Sequence, residues 1–435
     1  MKIACIGNMN NIMFQLMRYF TDERHDVTLF LLDEHDHFSP QADSFDSIEK
    51  YKIIDLGWNF DHFIKLSRDK IKETFKGFEF YIGTDIAPAL MYKGGMYLDV
   101  FIPHGSDLYD YPFAKYRNLP AQNWEIPKFI TGIFQKRGIA EASSISADMG
   151  DEVIEKPIRL IRYHKKERII SPPILYLKQY GDGYEKKSSF CKKIQEIRNK
   201  FNFIVFQHSS QDWSSRGIHR INKGNDILIK AFANYLKRNN YISDSALVVL
   251  EYGQDLNKSK ELIKELKIEN NVIWLPKMHR KDILASISAS DICVGELGER
   301  HWYCYSCIFE FMAMKKPLIH HRNDKHYKNL SMELYPMVDA SSVDEVENVF
   351  IDYRNHPDRY IKMGEEVYLW LHKRTEQCLQ VYRDKMIQKQ SNKFLSNKLS
   401  MLLIKQLSLA FNPQLIYSQL LLKMYSLQAK WRGIN

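Results

Sequence analysis

The feature of this sequence that most constrains its fold is the repeated alternation of short apolar segments with helical patterns. Residues 2–6 form an apolar segment that leads through Gly7 into a stretch whose apolar side chains recur with helical spacing. Further apolar segments follow at 26–32, 51–56, 78–83 and 98–103. Strands that alternate with helices predict a parallel sheet covered by helices, with ligands at the carboxyl ends of the strands.

A second alternation of the same kind occupies the C-terminal half. Strand-like segments lie at 203–206, 246–250, 272–276 and 291–296, and a helix that stops before Pro317 leads into another short strand. Ser171-Pro172-Pro173 predicts an extended boundary. A chain of 435 residues is long enough for two or three domains. We predict domains at 1–170 and 201–352, a linker at 171–200, a helix within 353–384 and a tail at 385–435.

Charge and composition exclude several classes of protein. Hydrophobic residues at 45% and charged residues at 26% are typical of a globular chain. The net charge is +9, but eight basic residues and no acidic ones lie after Asp384, which leaves the body nearly neutral. A nucleic-acid-binding body is therefore not expected. Six scattered cysteines, no apparent leader segment and no apolar run of about 18 residues predict a cytoplasmic protein.

His104-Gly105-Ser106-Asp107 directly follows the segment 98–103, where an open parallel sheet places its functional groups. The alternative is a tight turn in which Gly105 permits the bend and Asp107 caps the next helix.

The loop after the first strand contains Gly7 but lacks the second and third glycines of a dinucleotide fingerprint, so an NAD-binding domain is not predicted.

Four motifs in the C-terminal half resemble the donor domain of GT-B glycosyltransferases, specifically of the retaining family 4 type. They are Lys223-Gly224-x-Asp226, Trp274-Leu275-Pro276, Ala289-Ser290-Asp291-Ile292 and Glu310-x-Met312-Ala313-x-x-x-Pro317. The resemblance covers residues 200–325 well and 1–170 loosely. It implies two Rossmann-like α/β domains that face each other across a cleft. The acceptor would bind the first, the nucleotide-sugar the second, and the helix within 353–384 would cross back to the first domain.

The resemblance also implies the site. His104 and Asp107 would reach the cleft from the first domain, and Glu296 would act beside them as a catalytic group. Lys223 before a helix suits the diphosphate, and Glu310 corresponds to the residue that binds the ribose. The full set expected at the donor comprises Gly7, Ser209, Arg216, Arg220, Lys223, Gly224, Glu299 and Glu310. The donor is a substrate, and no cofactor is expected.

Two positions depart from the family pattern. The glutamate usually found eight residues before Glu310 is replaced by Trp302, with Glu296 and Glu299 as the nearest acids. The arginine usually found five residues before Lys223 is replaced by Ile218, and Arg216 or Arg220 are its possible substitutes. A nucleotide-sugar epimerase and a catalytically silent scaffold that binds a glycan or partner enzyme therefore stay open beside the glycosyltransferase.

Metal binding is not predicted from the sequence. Cys304-Tyr305-Ser306-Cys307 has ligand spacing but no second pair, and the cluster at 33–37 resembles a solvated loop after a strand. No Asp-x-Asp triplet is present, which argues against the metal-dependent GT-A class. The resemblance to GT-B enzymes implies metal-independent transfer, and we expect a glycan or lipid-linked acceptor in assembly of a surface polysaccharide. The basic tail at 385–435 has amphipathic spacing, which predicts contact with an anionic membrane surface or packing on protein.

Overall fold

The computed structural model describes residues 1–32, 36–113, 125–147, 152–161, 167–214, 222–239, 244–298, 306–330 and 333–410. Residues 1–378 form one compact unit, and a second unit begins at Leu379. The first unit contains two parallel sheets.

The N-terminal sheet has seven strands within the described residues, in the order β3-β2-β1-β4-β5-β6-β7, and all its pairs are parallel. The strands are β1 (Lys2–Ile6), β2 (Asp26–Leu31), β3 (Lys52–Asp55), β4 (Phe80–Gly83), β5 (Val100–Phe101), β6 (Ser144–Ser146) and β7 (Glu167–Ile169). The chain enters the sheet centrally at β1, so the ends of β1, β4 and β5 lie side by side and can share one site.

Eight helices accompany this sheet in the described part of the chain. They are α1 (Ile12–Asp22), α2 (Pro40–Asp43), α3 (Phe60–Lys65), α4 (Arg68–Thr74), α5 (Ala87–Gly94), α6 (Ser106–Tyr109), α7 (Glu125–Glu141) and α8 (Glu152–Ile161). Local signals start several of them: the Ser67 hydroxyl accepts a hydrogen bond from the Lys70 amide before α4, and Pro88 stands in the first turn of α5. Their apolar faces bury Leu90, Phe101 and Ile139 in one core.

The C-terminal sheet has six parallel strands within the described residues, in the order β10-β9-β8-β11-β12-β13. They are β8 (Phe203–Gln207), β9 (Ser245–Glu251), β10 (Val272–Pro276), β11 (Ile292–Val294), β12 (Leu318–His320) and β13 (Val338–Asp339). Its helices are α9 (Cys191–Lys200), α10 (Asn225–Asn239), α11 (Leu256–Glu265), α12 (Arg280–Ile287), α13 (Ser306–Ala313), α14 (Asp324–Asn329), α15 (Val343–Asn355) and α16 (Pro357–Ala410). Both faces of β8 and β9 are covered, which accounts for their nearly uninterrupted apolar sequences.

The sequence did not predict three of the strands. β6 (Ser144–Ser146), β7 (Glu167–Ile169) and β13 (Val338–Asp339) have two or three residues each and contain polar side chains, so they show no periodicity. The strand expected at 98–103 is paired only over Val100–Phe101. These short strands extend the sheets by pairing with longer neighbours, a long-range effect that local sequence does not encode.

The segment predicted as a linker, 171–200, has structure of its own. It includes α9, and Leu177, Tyr184 and Ile194 are buried in the core of the C-terminal sheet. Helix α16 also contributes Val367 and Trp370 to that core. At the end of the first unit, the Cys378 thiol lies 2.7 Å from the carbonyl oxygen of Ser171.

Helix α16 continues without interruption through residue 384, where the sequence analysis separated a crossing helix from the tail. Residues 411–435 lie outside the described residues. Among the described helices, none combines the length and the apolar character required to cross a membrane.

Candidate functional site

The loop after β5 is shaped by Asp107. The Asp107 carboxylate accepts hydrogen bonds from the backbone amides of His104 at 2.9 Å, Gly105 at 2.8 Å and Asp85 at 3.2 Å. Burial raises the pKa of Asp107 to about 7, although the amide donors favour its charged form. Asp107 therefore fixes the backbone that presents His104. The tight turn at Gly105 is present, but Asp107 lies inside α6, whose N-cap is Gly105, so it does not cap that helix as the turn alternative predicted. Its catalytic role stays a prediction.

His104 is presented by this loop with one ring nitrogen available. Its Nδ1 lies 3.5 Å from the Asn10 side-chain nitrogen, whereas its Nε2 is buried and has no hydrogen-bond partner among the described residues. Burial, with a smaller contribution from the positive charge of Arg280, lowers the pKa of His104 to about 4. The imidazole is therefore neutral near pH 7, and Nε2 can exchange a hydrogen bond with a ligand.

Gly7 directly follows β1 and begins the loop that leads to Asn10. Its φ is +82°, and a Cβ atom there would come within 2.7 Å of the Thr84 methyl carbon. Its amide donates to the Phe30 carbonyl oxygen at 2.8 Å. A larger residue at position 7 would therefore force β1 and β4 apart. These contacts account for the glycine structurally, and its contact with a donor stays a prediction.

Arg280, at the start of α12, links the two halves of the first unit. Its Nη1 donates to the Asn10 carbonyl oxygen at 2.8 Å and to the Asp43 carboxylate at 3.0 Å, both in the N-terminal half. Its Nε donates to the Glu310 carboxylate at 2.8 Å in the C-terminal half. Although burial opposes the charge, Asp43 and Glu310 raise the pKa of Arg280 further above its usual range. The guanidinium therefore stays charged and joins both halves.

Glu310 lies in α13 and is almost completely buried. Its second oxygen is 2.9 Å from the His208 Nε2. Burial opposes ionisation, but His208 and Arg280 hold the pKa of Glu310 below its usual value. Burial also opposes protonation of His208, yet the nearby Cys307 thiol and Glu310 raise the pKa of His208 to about 10. Glu310 is therefore a carboxylate held between two cations.

Glu296 is a further acidic residue of the candidate site, and it lies where two loops of the C-terminal half meet. The Lys223 ammonium is 3.4 Å from a carboxylate oxygen of Glu296, and the Leu297 amide donates to the Lys223 carbonyl oxygen at 3.0 Å. Gly224 has a φ of +70°, and a Cβ there would lie 2.8 Å from the Gly298 amide nitrogen. This close approach places Lys223 immediately before α10 and beside Glu296.

Ser209 follows β8, and its hydroxyl oxygen is buried without a hydrogen-bond partner in the segments that the structure describes. A buried hydroxyl without a partner is uncommon in folded proteins and is consistent with a ligand at that position. Arg216, Arg220 and Glu299, and the departure at Trp302, lie outside the described residues.

The structure thus brings the predicted groups His104 and Glu310 into one chain of contacts, through Asn10 and Arg280. Tyr252 adjoins this chain of contacts, because its hydroxyl donates to the His208 carbonyl oxygen at 2.7 Å. Burial, followed by the influence of Cys307 and Glu310, raises the pKa of Tyr252 above its usual range. Asn10, Arg280 and His208 were not identified from the sequence. Arg280 lies in the run His279-Arg280-Lys281-Asp282, whose composition is that of an exposed helix start, so no local signal reveals its burial.

The described geometry can be compared with that of known proteins. Residues 215–298 match the family model "Glycosyl transferases group 1". HepE of Anabaena, solved in complex with UDP-glucose, is similar in structure with a TM-score of 0.56 at 14% identity, over 88% of this chain and 100% of that one. The chain has the GT-B fold. These similarities confirm three predictions. They are the resemblance to GT-B proteins, the α/β fold class and the assignment as a glycosyltransferase.

Two further GT-B structures are informative. WaaG, a glycosyltransferase involved in lipopolysaccharide biosynthesis, has a TM-score of 0.51 at 14% identity, over 86% of this chain and 95% of that one. A putative UDP-N-acetylglucosamine 2-epimerase from Listeria monocytogenes has a TM-score of 0.51 at 11% identity, over 84% and 91%. No curated protein matches the chain in sequence. At these identities the GT-B neighbours establish the fold, and the retaining family 4 assignment stays a prediction.

Proposed function

We propose that this chain transfers a sugar from a nucleotide-sugar donor to a glycan or lipid-linked acceptor, without a metal ion and with retention of configuration. The observation that carries the proposal is the convergence of His104 from the first sheet with Glu310 from the second through Arg280. Two parallel sheets whose polar groups meet through Arg280 suit a substrate bound between them. The matched family segment and the UDP-glucose bound to HepE support a nucleotide-sugar as the donor.

Lys223 and the start of α10 are suited to the diphosphate. The leaving group carries two phosphate charges, which a lysine and free amide groups at a helix N-terminus can stabilise. In the structure, Lys223 is paired with Glu296 at 3.4 Å, a separation that leaves the ammonium free to take up a stronger phosphate contact. We propose that the diphosphate displaces Glu296 from Lys223. Glu296 would then face the sugar, in agreement with its predicted catalytic role.

Glu310 is suited to the ribose even though its carboxylate is already paired. An ionised carboxylate has about four lone-pair positions; Arg280 donates to one of them, and the His208 ring lies 2.9 Å from the other oxygen as an ion pair. Ribose hydroxyls can donate to the remaining positions. The two cations keep Glu310 ionised and fix its orientation, so that it accepts these bonds without reorganisation.

His104 is suited to the transferred sugar or the acceptor. Its buried Nε2 has no hydrogen-bond partner within the described part of the chain, and its neutral ring can either donate or accept a hydrogen bond. Asp107 holds the loop, so His104 approaches the substrate in a fixed position. We propose that His104 contacts the sugar near its reacting carbon.

Kinetics separate the roles of Glu310 and His104. Glu310→Gln should raise the donor KM by about tenfold or more, because a charge-assisted bond to the ribose is lost. His104→Ala should lower kcat by about tenfold to a thousandfold, since its contacts matter most near the transferred group. Both the donor KM and kcat are measured from steady-state transfer rates with a natural acceptor. A kcat of His104→Ala within about twofold of the wild type would contradict the assignment, provided that unfolding midpoints show both variants folded.

The overall proposal is tested by the requirement for an acceptor. A panel of nucleotide-sugars is first ranked by thermal shift, and turnover of the best donor is then measured with and without candidate acceptors. A glycosyltransferase forms a glycosylated product only with an acceptor. Epimerisation of the donor without an acceptor would favour the epimerase alternative, for which the fold shared with the Listeria protein is the supporting observation. Binding with no turnover would favour a silent scaffold.

We also propose that the reaction occurs at the cytoplasmic face of a membrane in assembly of a surface polysaccharide. The support is the basic tail, whose residues 385–435 contain eight lysines and arginines, no acids and recurrent leucines. The involvement of WaaG in lipopolysaccharide biosynthesis is consistent with a lipid-linked acceptor.

The tail proposal predicts binding to anionic lipid. The intact protein should sediment with vesicles that contain phosphatidylglycerol, and binding should weaken in high salt, because headgroup attraction is screened. A form ending at Asp384 should remain in the supernatant. Neutral phosphatidylcholine vesicles serve as the control. Equal sedimentation of the two forms would contradict a membrane role and leave packing on protein as the function of the tail.

A further inference from the structure

Three side chains with metal-ligand atoms converge at a point outside the proposed donor site. Asp36, His37 and His279 each offer one ligand atom, and these atoms lie within 4.8 Å of one another. The His279 Nε2 is 3.0 Å from an Asp36 carboxylate oxygen, and the two imidazole rings meet edge to face with centroids 5.5 Å apart. Within the described part of the chain, this is the group of histidine, cysteine and acidic side chains that is compact enough to hold an ion.

We propose that Asp36, His37 and His279 form a site for a divalent transition metal of the zinc class, which links the N-terminal half to the C-terminal half. Two imidazoles and one carboxylate are the ligand set of many zinc sites with three protein ligands, where water takes the fourth position. Tetrahedral zinc, with bonds near 2 Å, separates its ligand atoms by about 3.3 Å. Asp36 and His279 already meet this spacing, and rotation of the exposed Asp36 side chain and of the two half-buried histidines would close the remainder.

The backbone on both sides of the site is held in place. In the N-terminal half, the Asn11 and Asn8 side chains donate to the carbonyl oxygens of His37 at 3.3 Å and Phe38 at 2.6 Å. In the C-terminal half, the His279 carbonyl oxygen accepts the amides of Asp282 and Ile283 at 3.0 Å, and the next residue is Arg280, whose side chain is only 10% exposed. Hydrogen bonds therefore hold the backbone of the ligand residues in both halves, which is a condition for a preformed site.

The position of this site gives the ion a structural consequence. Asp36 and His37 lie shortly after β2, whereas His279 lies 242 positions after His37 and directly before α12. A metal bound here would join the same two halves that Arg280 joins, from a more exposed position. It would stabilise the arrangement in which the halves are in contact. The site thus adds metal-dependent control of the cleft, which is separate from the chemistry proposed for the sugar transfer.

The test measures binding of zinc itself, in the full-length protein and without any nucleotide-sugar. Equilibrium dialysis of the apo protein against Zn²⁺ should give one ion that is lost from His37→Ala and His279→Ala, with affinity reduced about tenfold or more in each. Zn²⁺ should also raise the thermal unfolding midpoint of the wild type and not that of either variant. Tetrahedral Co²⁺ bound in place of zinc should show visible absorption that both substitutions abolish.

A matched control is the exposed His356 with the half-buried Asp352, whose Nδ1 and Oδ1 atoms lie 2.9 Å apart and which belong to no group of three metal-ligand side chains within the described residues. His356→Ala should bind Zn²⁺ as the wild type does.

Lys277 is an exposed positive charge close to Asp36 and His37, so Lys277→Ala should tighten Zn²⁺ binding by about twofold at low salt. Unchanged Zn²⁺ stoichiometry and affinity in both His37→Ala and His279→Ala would overturn the proposal. Because no donor or acceptor is used, this result is independent of the transferase assay.

Discussion

Arg280→Ala is expected to reduce the free energy of unfolding by about 3 to 5 kcal/mol, the cost of removing one partner from a buried ionic network. The substitution would leave the completely buried Asp43 carboxylate with the Gln15 amide as its remaining hydrogen-bond donor, and Glu310 with His208 as its remaining cation. Asn10, whose carbonyl oxygen accepts from Arg280, would lose its link to the C-terminal half. Denaturant unfolding followed by circular dichroism measures the change.

The control for Arg280 is an exposed arginine in an ion pair. Arg359 lies 3.1 Å from Asp352, and Arg359→Ala should change the free energy of unfolding by less than about 1 kcal/mol. Arg280→Lys keeps the charge but not the forked geometry, so its loss should fall between the two. If Arg280→Ala unfolds like Arg359→Ala, the link between the halves contributes little to stability. Arg280→Lys keeps the question measurable if the alanine variant does not fold.

Arg280 also has an electrostatic effect that a merely structural residue would lack. Its charge is one of the two causes that lower the pKa of His104, after burial. In any Arg280 variant that folds and loses the charge, the His104 imidazole should titrate at a higher pH. Observation of its ring protons by NMR would show this shift directly. The network therefore keeps His104 neutral as well as joining the halves.

The second large effect is expected for Lys223. Lys223→Ala should slow transfer by a factor of about ten to a thousand, the range for removal of one donor that stabilises charge in the transition state. Binding of the nucleoside diphosphate should weaken as well, because the lysine meets the phosphates before and after reaction. Calorimetry with nucleoside diphosphate and nucleotide-sugar, combined with transfer rates, measures both effects.

The matched control for Lys223 lies in the helix that follows it. Lys230 is an exposed residue of α10 that pairs with Asp226 at 2.8 Å, one helical turn away, so its replacement removes the same charge on the same element. Lys230→Ala should leave donor affinity and transfer rate nearly unchanged. Unchanged affinity of Lys223→Ala for both ligands would contradict the diphosphate role and redirect attention to arginines in the segment 215–221.

The sequence by itself determined the two-sheet α/β fold, most of the long strands and the resemblance to GT-B glycosyltransferases. Buried strands such as β8 and β9 are short apolar runs, and the helices that follow have apolar faces with helical spacing, so both signals are local. The same local logic placed His104 after a strand and Lys223 before a helix, where the structure has them. The short strands β6, β7 and β13 were missed because two or three residues show no period.

Only the tertiary structure decided which of the polar residues meet. Arg280 contacts Asn10 and Asp43, which lie 270 and 237 positions away in the chain, and His279 approaches Asp36 over 243 positions. The cluster at 33–37 has the local sequence of a solvated loop and gives no sign of a metal site, because the third ligand of the proposed site comes from the other half. A side chain's local sequence sets its chemistry, but long-range packing sets its burial and partners, and these fix its charge.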